Sequence, residues 1–98
     1  MNNDDLFGSI YDSMNRNYSK IEQIAEYLYS LIQKDSSNEM AKEMFTNLVS
    51  TMQGELATQK DFIDFYCKAE FKDSLITKVD DKSRYLNDAL QDIIDNNR

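Results

Sequence analysis

The sequence predicts an all-α protein, built as an antiparallel helical hairpin followed by a shorter C-terminal helix. These elements form a three-helix bundle, or a four-helix core if two copies pair. Apolar residues recur every three or four positions over a long stretch, and a short polar segment near position 36 interrupts the pattern. The chain of 98 residues has no Pro and only two Gly. Because tight turns between strands depend on those residues, a β-fold is disfavoured.

The first predicted helix spans about residues 6–34 and carries the clearest stripe. Seven of its eight stripe positions are apolar, which is typical of a long amphipathic helix with one buried side. The stripe consists of Phe7, Ile10, Met14, Asn17, Ile21, Ile24, Leu28 and Leu31. A second apolar row widens it beyond the seam of a two-stranded coiled coil, which favours a bundle of three or four helices. That row consists of Tyr11, Tyr18, Ala25 and Ile32.

The polar segment 34–38 predicts a turn that folds the second helix back on the first. Ser36 and Glu39 have the spacing of a capping box, which marks the start of a helix. The second helix spans about residues 38–72. Gly54 lies in its middle, either as a tolerated surface residue or at a kink or close helix contact.

The third predicted helix spans about residues 81–95 and starts after Asp80 and Asp81, because acidic residues favour a helix N-terminus. Whether the second helix continues through 71–79 stays open. With only half the length of its neighbours, the third helix leaves part of the hairpin uncovered. We expect this apolar opening to hold a second copy of the chain or a helix of another protein.

The hairpin pairing places one polar layer in the predicted core. Asn17, the polar member of the first stripe, falls opposite Leu56 and near Glu55 and Gln59. A buried amide there could fix the register at some expense of stability. Alternatively, one or more of these side chains reaches water.

The formal net charge is −7 and the isoelectric point is about 4.4. This acidity disfavours direct binding to nucleic acid and to anionic membrane surfaces. Cys67 is the single cysteine, so the fold does not depend on an internal disulfide. The acidic N-terminus is unlike a signal peptide, and no apolar run is long enough for membrane insertion. We expect a cytoplasmic protein, with export by a signal-independent machine left open.

The side chains favour no catalytic role. The chain has no His, which excludes the common nucleophile systems and ordinary zinc sites. A single helical Cys67 beside Lys68 is more typical of an inert small residue than of a reactive thiol. We therefore expect no enzyme activity, no cofactor and no metal site.

Aromatic and apolar residues outside the main stripe are the candidates for partner binding. Phe65 and Phe71 are either covered by the third helix or serve as an aromatic anchor for a partner. The full candidate set is Tyr18, Tyr27, Tyr29, Ile32, Met44, Phe65 and Phe71.

The outline resembles that of the small helical proteins handled by type VII secretion, and Tyr66 and Glu70 match the spacing of their export signal. It is also similar to acidic chaperones of type III secretion and to phage or plasmid inhibitors. The leading hypothesis is a non-catalytic binding protein: a chaperone, adaptor or inhibitor. The alternatives are an exported or structural protein of a secretion system and an acidic mimic of nucleic acid.

Overall fold

The computed structural model describes residues 2–95. It shows three helices, α1 (Asn3–Lys34), α2 (Glu39–Tyr66) and α3 (Ala69–Asp95), with no strand in the described part of the chain. The all-α three-helix prediction is therefore confirmed. The bundle measures 52 × 21 × 15 Å. Helix α2 packs against both others, whereas the backbones of α1 and α3 hardly approach each other. Helix α2 is thus the central element.

Asparagine side chains cap the first two helices. Asn2 Oδ1 accepts a hydrogen bond of 2.8 Å from the amide of Asp5, and α1 consequently begins at Asn3, earlier than predicted. Asn38 Oδ1 accepts a hydrogen bond of 3.0 Å from the amide of Ala41, and α2 begins at the next residue, Glu39. The predicted capping box at Ser36 is wrong, because Asn38, two residues later, supplies the capping oxygen.

The second break lies earlier than predicted. Helix α2 ends at Tyr66 rather than near 72, and α3 begins at Ala69 rather than near 81. Cys67 has an extended backbone, with ψ at 143°, which stops the helix. Helix α3 is therefore 27 residues long, close to the 28 of α2, and runs along the whole hairpin. The predicted opening, a part of the hairpin beyond the end of a short third helix, is therefore absent from the described residues.

The length of α3 also changes which face of α1 is buried. Tyr18, Ala25 and Ile32 form the buried row, whereas Ile24 is 54% exposed and Asn17 is exposed. The predicted core position of Ile24 is wrong, because α3 draws the second apolar row inward. The observed buried and half-buried stripe has the same three-four spacing and contains Phe7, Tyr11, Met14, Tyr18, Ile21, Ala25, Leu28 and Ile32.

The predicted polar layer does not form. Asn17 is exposed, Glu55 is half-buried, and Gln59 is buried at 1% exposure. Neither amide atom of Gln59 has a hydrogen-bond partner among the described residues. Gly54 is exposed, and a Cβ added there would meet nothing within 4 Å. It is therefore a surface glycine, and the close-contact interpretation is wrong.

Candidate protein-binding groove

An open groove of about 740 Å³ separates the C-terminal halves of α1 and α3. Its floor and inner walls are formed by apolar residues, four of which are core residues with at most 5% of their surface exposed. These residues are Ala25 from α1, Phe45 and Met52 from α2, and Leu86 and Ala89 from α3. We call this surface the α1–α3 groove.

Side-chain size explains where the α1–α3 groove begins. One heptad toward the N-termini, Tyr18 and Lys82 meet, with Lys82 Nζ 5.1 Å from the centre of the Tyr18 ring. This cation–π contact joins the two helices. One heptad further along, the corresponding residues are Ala25 and Ala89, whose methyl groups fill little of the space. The gap therefore stays open at that level.

The rims of the α1–α3 groove are acidic. The carboxylates on α1 stand four residues apart and those on α3 four and three apart, so each row follows one helix face. No Lys, Arg or His is among the lining residues. The rim acids are Glu22 and Glu26 on α1, with Asp88, Asp92 and Asp95 on α3. An apolar floor between two negative rows favours a ligand with an apolar centre and positive flanks.

Tyr29 crosses the groove. Its hydroxyl donates a hydrogen bond of 2.7 Å to Asp92 Oδ2, and its ring lies 5.8 Å from that of Phe45. The hydrogen bond to Asp92, followed by burial, raises the pKa of Tyr29 above its ordinary value. Burial, followed by the nearby charge of Glu22, raises the pKa of Tyr18 to about 12. Both hydroxyls are therefore neutral at physiological pH.

The structure separates the predicted partner-binding residues. Tyr29 lines the α1–α3 groove, whereas Tyr18 and Ile32 are buried in the core and are not among the residues that line it. Tyr27 and Met44 are exposed outside the groove, at 64% and 49%. Phe65 and Phe71 are exposed near the α2–α3 corner, so the alternative in which the third helix covers them is wrong. The reason is that Phe71 belongs to α3 itself, in its first turn.

Sequence reasoning missed the acidic rims and Tyr85. Asp88, Asp92 and Asp95 were not among the candidate residues, and the structure places them beside the groove. Their regular spacing was visible, as was that of Glu22 and Glu26 beside the second apolar row of α1. The missing information was that these two rows face each other.

The described residues form neither a metal site nor a membrane-spanning helix. No group of three or more His, Cys, Asp or Glu residues in the range 2–95 is arranged to hold a metal ion. No described helix is long and apolar enough to cross a membrane. Tyr66 ends α2 and Glu70 lies in the first turn of α3, so the pair spans a break between helices. The chain matches no protein-family model, no curated protein and no solved structure.

Proposed function

We propose that the protein is a non-catalytic binding protein whose α1–α3 groove holds a basic amphipathic helix of another protein. The observation that carries this proposal is the apolar floor between two acidic rims that contain no basic residue. Helix-in-groove recognition uses such a floor for the apolar face of the ligand. The rims add electrostatic selection for Lys and Arg on its flanks.

An incoming helix would complete a four-helix bundle. Glu22 to Ser30 and Asp88 to Asp95 mark the length of the two rims. At 1.5 Å per residue they extend about 10 to 12 Å, or roughly two turns of helix. The bound segment therefore needs apolar residues three or four positions apart over that length, flanked by basic residues as at the e and g positions of a coiled coil.

Charge argues against a second copy of this chain as the ligand of the groove. Helix α1 has five acidic and three basic residues, α2 has five and two, and α3 has seven and four. Each helix is therefore net negative, and inserting any of them between the acidic rims brings like charges together. A basic segment of another protein avoids this repulsion.

The proposed role is that of a chaperone, adaptor or inhibitor, all of which can use one helix-binding groove. The proposal of a nucleic-acid mimic is less well supported, because the rim acids flank an apolar floor that a phosphate-like surface does not require. Export by a secretion system and a cytoplasmic location stay predictions from the sequence.

The test uses a designed peptide of about 14 residues, or four helical turns, with a Leu seam flanked by Lys. A matched peptide has Glu in place of every Lys. Titration calorimetry should show binding of the basic peptide and none of the acidic peptide. Affinity should fall as salt is added, because the rim charges are exposed to solvent.

Paired variants locate the binding surface. Glu26→Gln with Asp88→Asn removes two rim charges, and Asp12→Asn with Asp73→Asn removes two exposed charges outside the groove. Only the first pair should weaken binding of the basic peptide, by about tenfold if each lost contact contributes roughly 0.7 kcal/mol. Equal weakening by both pairs, or no binding by the wild type, would contradict the proposal.

A further inference from the structure

The corner between α2 and α3 exposes three aromatic side chains within seven residues. Phe65 is 80% exposed, Tyr66 is 70% exposed and Phe71 is 56% exposed. Large aromatic rings lose favourable burial when they stay in water, and a cluster of them marks an association surface. We call this surface the aromatic corner. It lies outside the α1–α3 groove, with which it shares no lining residue.

A ladder of ring contacts connects the aromatic corner with the inner side of α1. The ring of Phe65 lies 6.3 Å from that of Tyr66, and Tyr66 lies 5.2 Å from Phe62. Phe62 in turn stacks on Phe7, with ring centres 5.0 Å apart. These contacts connect Tyr66, and through it Phe65, to the stacked rings of Phe62 and Phe7, which reduces the entropy lost when this part of the patch is ordered by binding.

A hollow of about 420 Å³ lies directly beside the aromatic corner, and Tyr66 and Phe71 line it. Its apolar wall is formed by Phe7, Tyr66, Phe71 and Leu75. Lys68 Nζ forms an ion pair of 2.6 Å with Asp4 Oδ2, and both residues line the hollow. Since Tyr66 lines the hollow and contacts Phe65, a projecting ring and a cavity able to receive a ring occupy one surface.

Charge at the aromatic corner is closer to balance than that of the whole chain. Residues 60–78 contain four lysines and four acids, and Asp4, which lines the hollow, makes the net charge of this surface −1, whereas the chain has a net charge of −7. Two copies that approach through their corners therefore avoid most of the repulsion they meet elsewhere. A surface that bears both signs, a projection and a hollow can also be complementary to itself, as a two-fold contact requires.

We propose that a second copy of the chain docks on the aromatic corner through a two-fold contact. Phe65 of each copy enters the hollow beside Tyr66 of the other. Residues 60–78 of the two copies, which carry both lysines and acids, then face each other. Because the α1–α3 groove lies outside this contact, both grooves of the dimer stay open. The dimer can then engage two ligand segments at once, which raises avidity. The dimer itself does not depend on the proposed function of the groove.

The test is sedimentation equilibrium over a wide range of protein concentration. The wild type should shift from the mass of one chain, 11.5 kDa, to twice that value. Phe65→Ser should raise the dimer dissociation constant at least about tenfold, as expected for a central aromatic residue of an interface. Tyr27→Ser is the matched control, because Tyr27 is 64% exposed and lies outside the corner.

Cysteine chemistry gives a second readout. Cys67 is half-buried and lines the hollow that Phe65 of the other copy fills, so its reaction with a maleimide should slow as the concentration of the wild type or of Tyr27→Ser rises, but not as that of Phe65→Ser rises. Thermal unfolding should show that both variants stay folded, since both side chains are exposed. A wild type that stays monomeric, assembles beyond a dimer, or loses dimers equally in both variants would overturn the proposal.

Discussion

The hydroxyl of Tyr29 on α1 donates a hydrogen bond of 2.7 Å to Asp92 on α3, 63 positions away in the sequence. It is a direct link between two helices whose backbones otherwise hardly approach each other. Asp92 is also a rim acid of the α1–α3 groove, so this link engages a carboxylate that the proposed basic ligand would contact. The proposed function therefore implies that the stability of the bundle and the affinity for a ligand are coupled at this residue pair.

The first prediction concerns this pair. Tyr29→Phe removes the hydroxyl and keeps the ring, so it should lower the free energy of unfolding by about 0.5–1.5 kcal/mol, the net contribution of one hydrogen bond. It should also strengthen binding of the basic peptide by about two- to tenfold, since Asp92 is then free to pair with a ligand Lys. Tyr27→Phe, at an exposed position outside the groove, should change neither quantity. Weaker peptide binding by Tyr29→Phe would instead mean that the hydroxyl contacts the ligand.

The second prediction concerns alkaline pH. Burial and Glu22 raise the pKa of Tyr18 from 10.0 to about 12 in the folded protein. A raised pKa means that the folded state holds the proton more tightly than the unfolded state, so the associated stability is fully present below pH 10 and is lost toward pH 12. Denaturant unfolding across this range should show the loss. Tyr18→Phe should flatten the pH dependence, and Tyr27→Phe should leave it unchanged.

The third prediction separates the observed core from the stripe predicted on α1. Ile63 is fully buried at 0% exposure, and Ile63→Ala should reduce the free energy of unfolding by about 2–5 kcal/mol. Ile24 is 54% exposed, and Ile24→Ala should reduce it by well under half as much. Chemical denaturation of the two variants gives the comparison. A similar loss at both positions would contradict the burial pattern of α1.

The fourth prediction concerns the buried amide of Gln59. Its side chain is 1% exposed, and neither amide atom has a partner among the described residues. Replacing it by an apolar residue of similar shape removes the cost of desolvating those groups, so Gln59→Met should raise stability by about 1–3 kcal/mol.

Gln53→Met is the control for that substitution. The Gln53 amide donates to the carbonyl of Ser83 at 2.9 Å and accepts from the Ser83 hydroxyl at 2.6 Å, which joins α2 to α3. The same chemical change should therefore lower stability there. If both substitutions destabilise equally, Gln59 has partners that offset its burial.

Local sequence signals determined the helical class and the first turn. The shortage of Gly and Pro excluded most alternatives, and the polar segment 34–38 marked the break between α1 and α2. The apolar spacing also identified α1 as amphipathic, because helical periodicity is a property of the chain itself. The same signals did not distinguish the row of Ile24 from the row of Ala25, since both have three-four spacing.

Tertiary packing decided where α2 ends and which apolar residues of α3 are buried. No Gly, Pro or Asn lies at Cys67 and Lys68 to stop a helix. Ending α2 there lets Val79, Leu86 and Ile93, seven residues apart on α3, pack into the hairpin core. A continuous helix would have left these side chains in water. The apolar spacing of α3 continues across Asp80 and Asp81. Those two acids nevertheless suggested that a helix starts there, in what is the middle of α3.

The α1–α3 groove could not be predicted from the sequence, because it depends on residues that are far apart in the chain. Each acidic row follows from helical spacing, yet only the bundle sets Glu26 on one rim and Asp88 on the other. The bundle likewise sets Ala25 opposite Ala89, and their small side chains leave the space between the two helices open. The sequence by itself determined that helices form and which residues are apolar. Only the tertiary structure decided which helix faces meet, because burial is gained between helices and not within them.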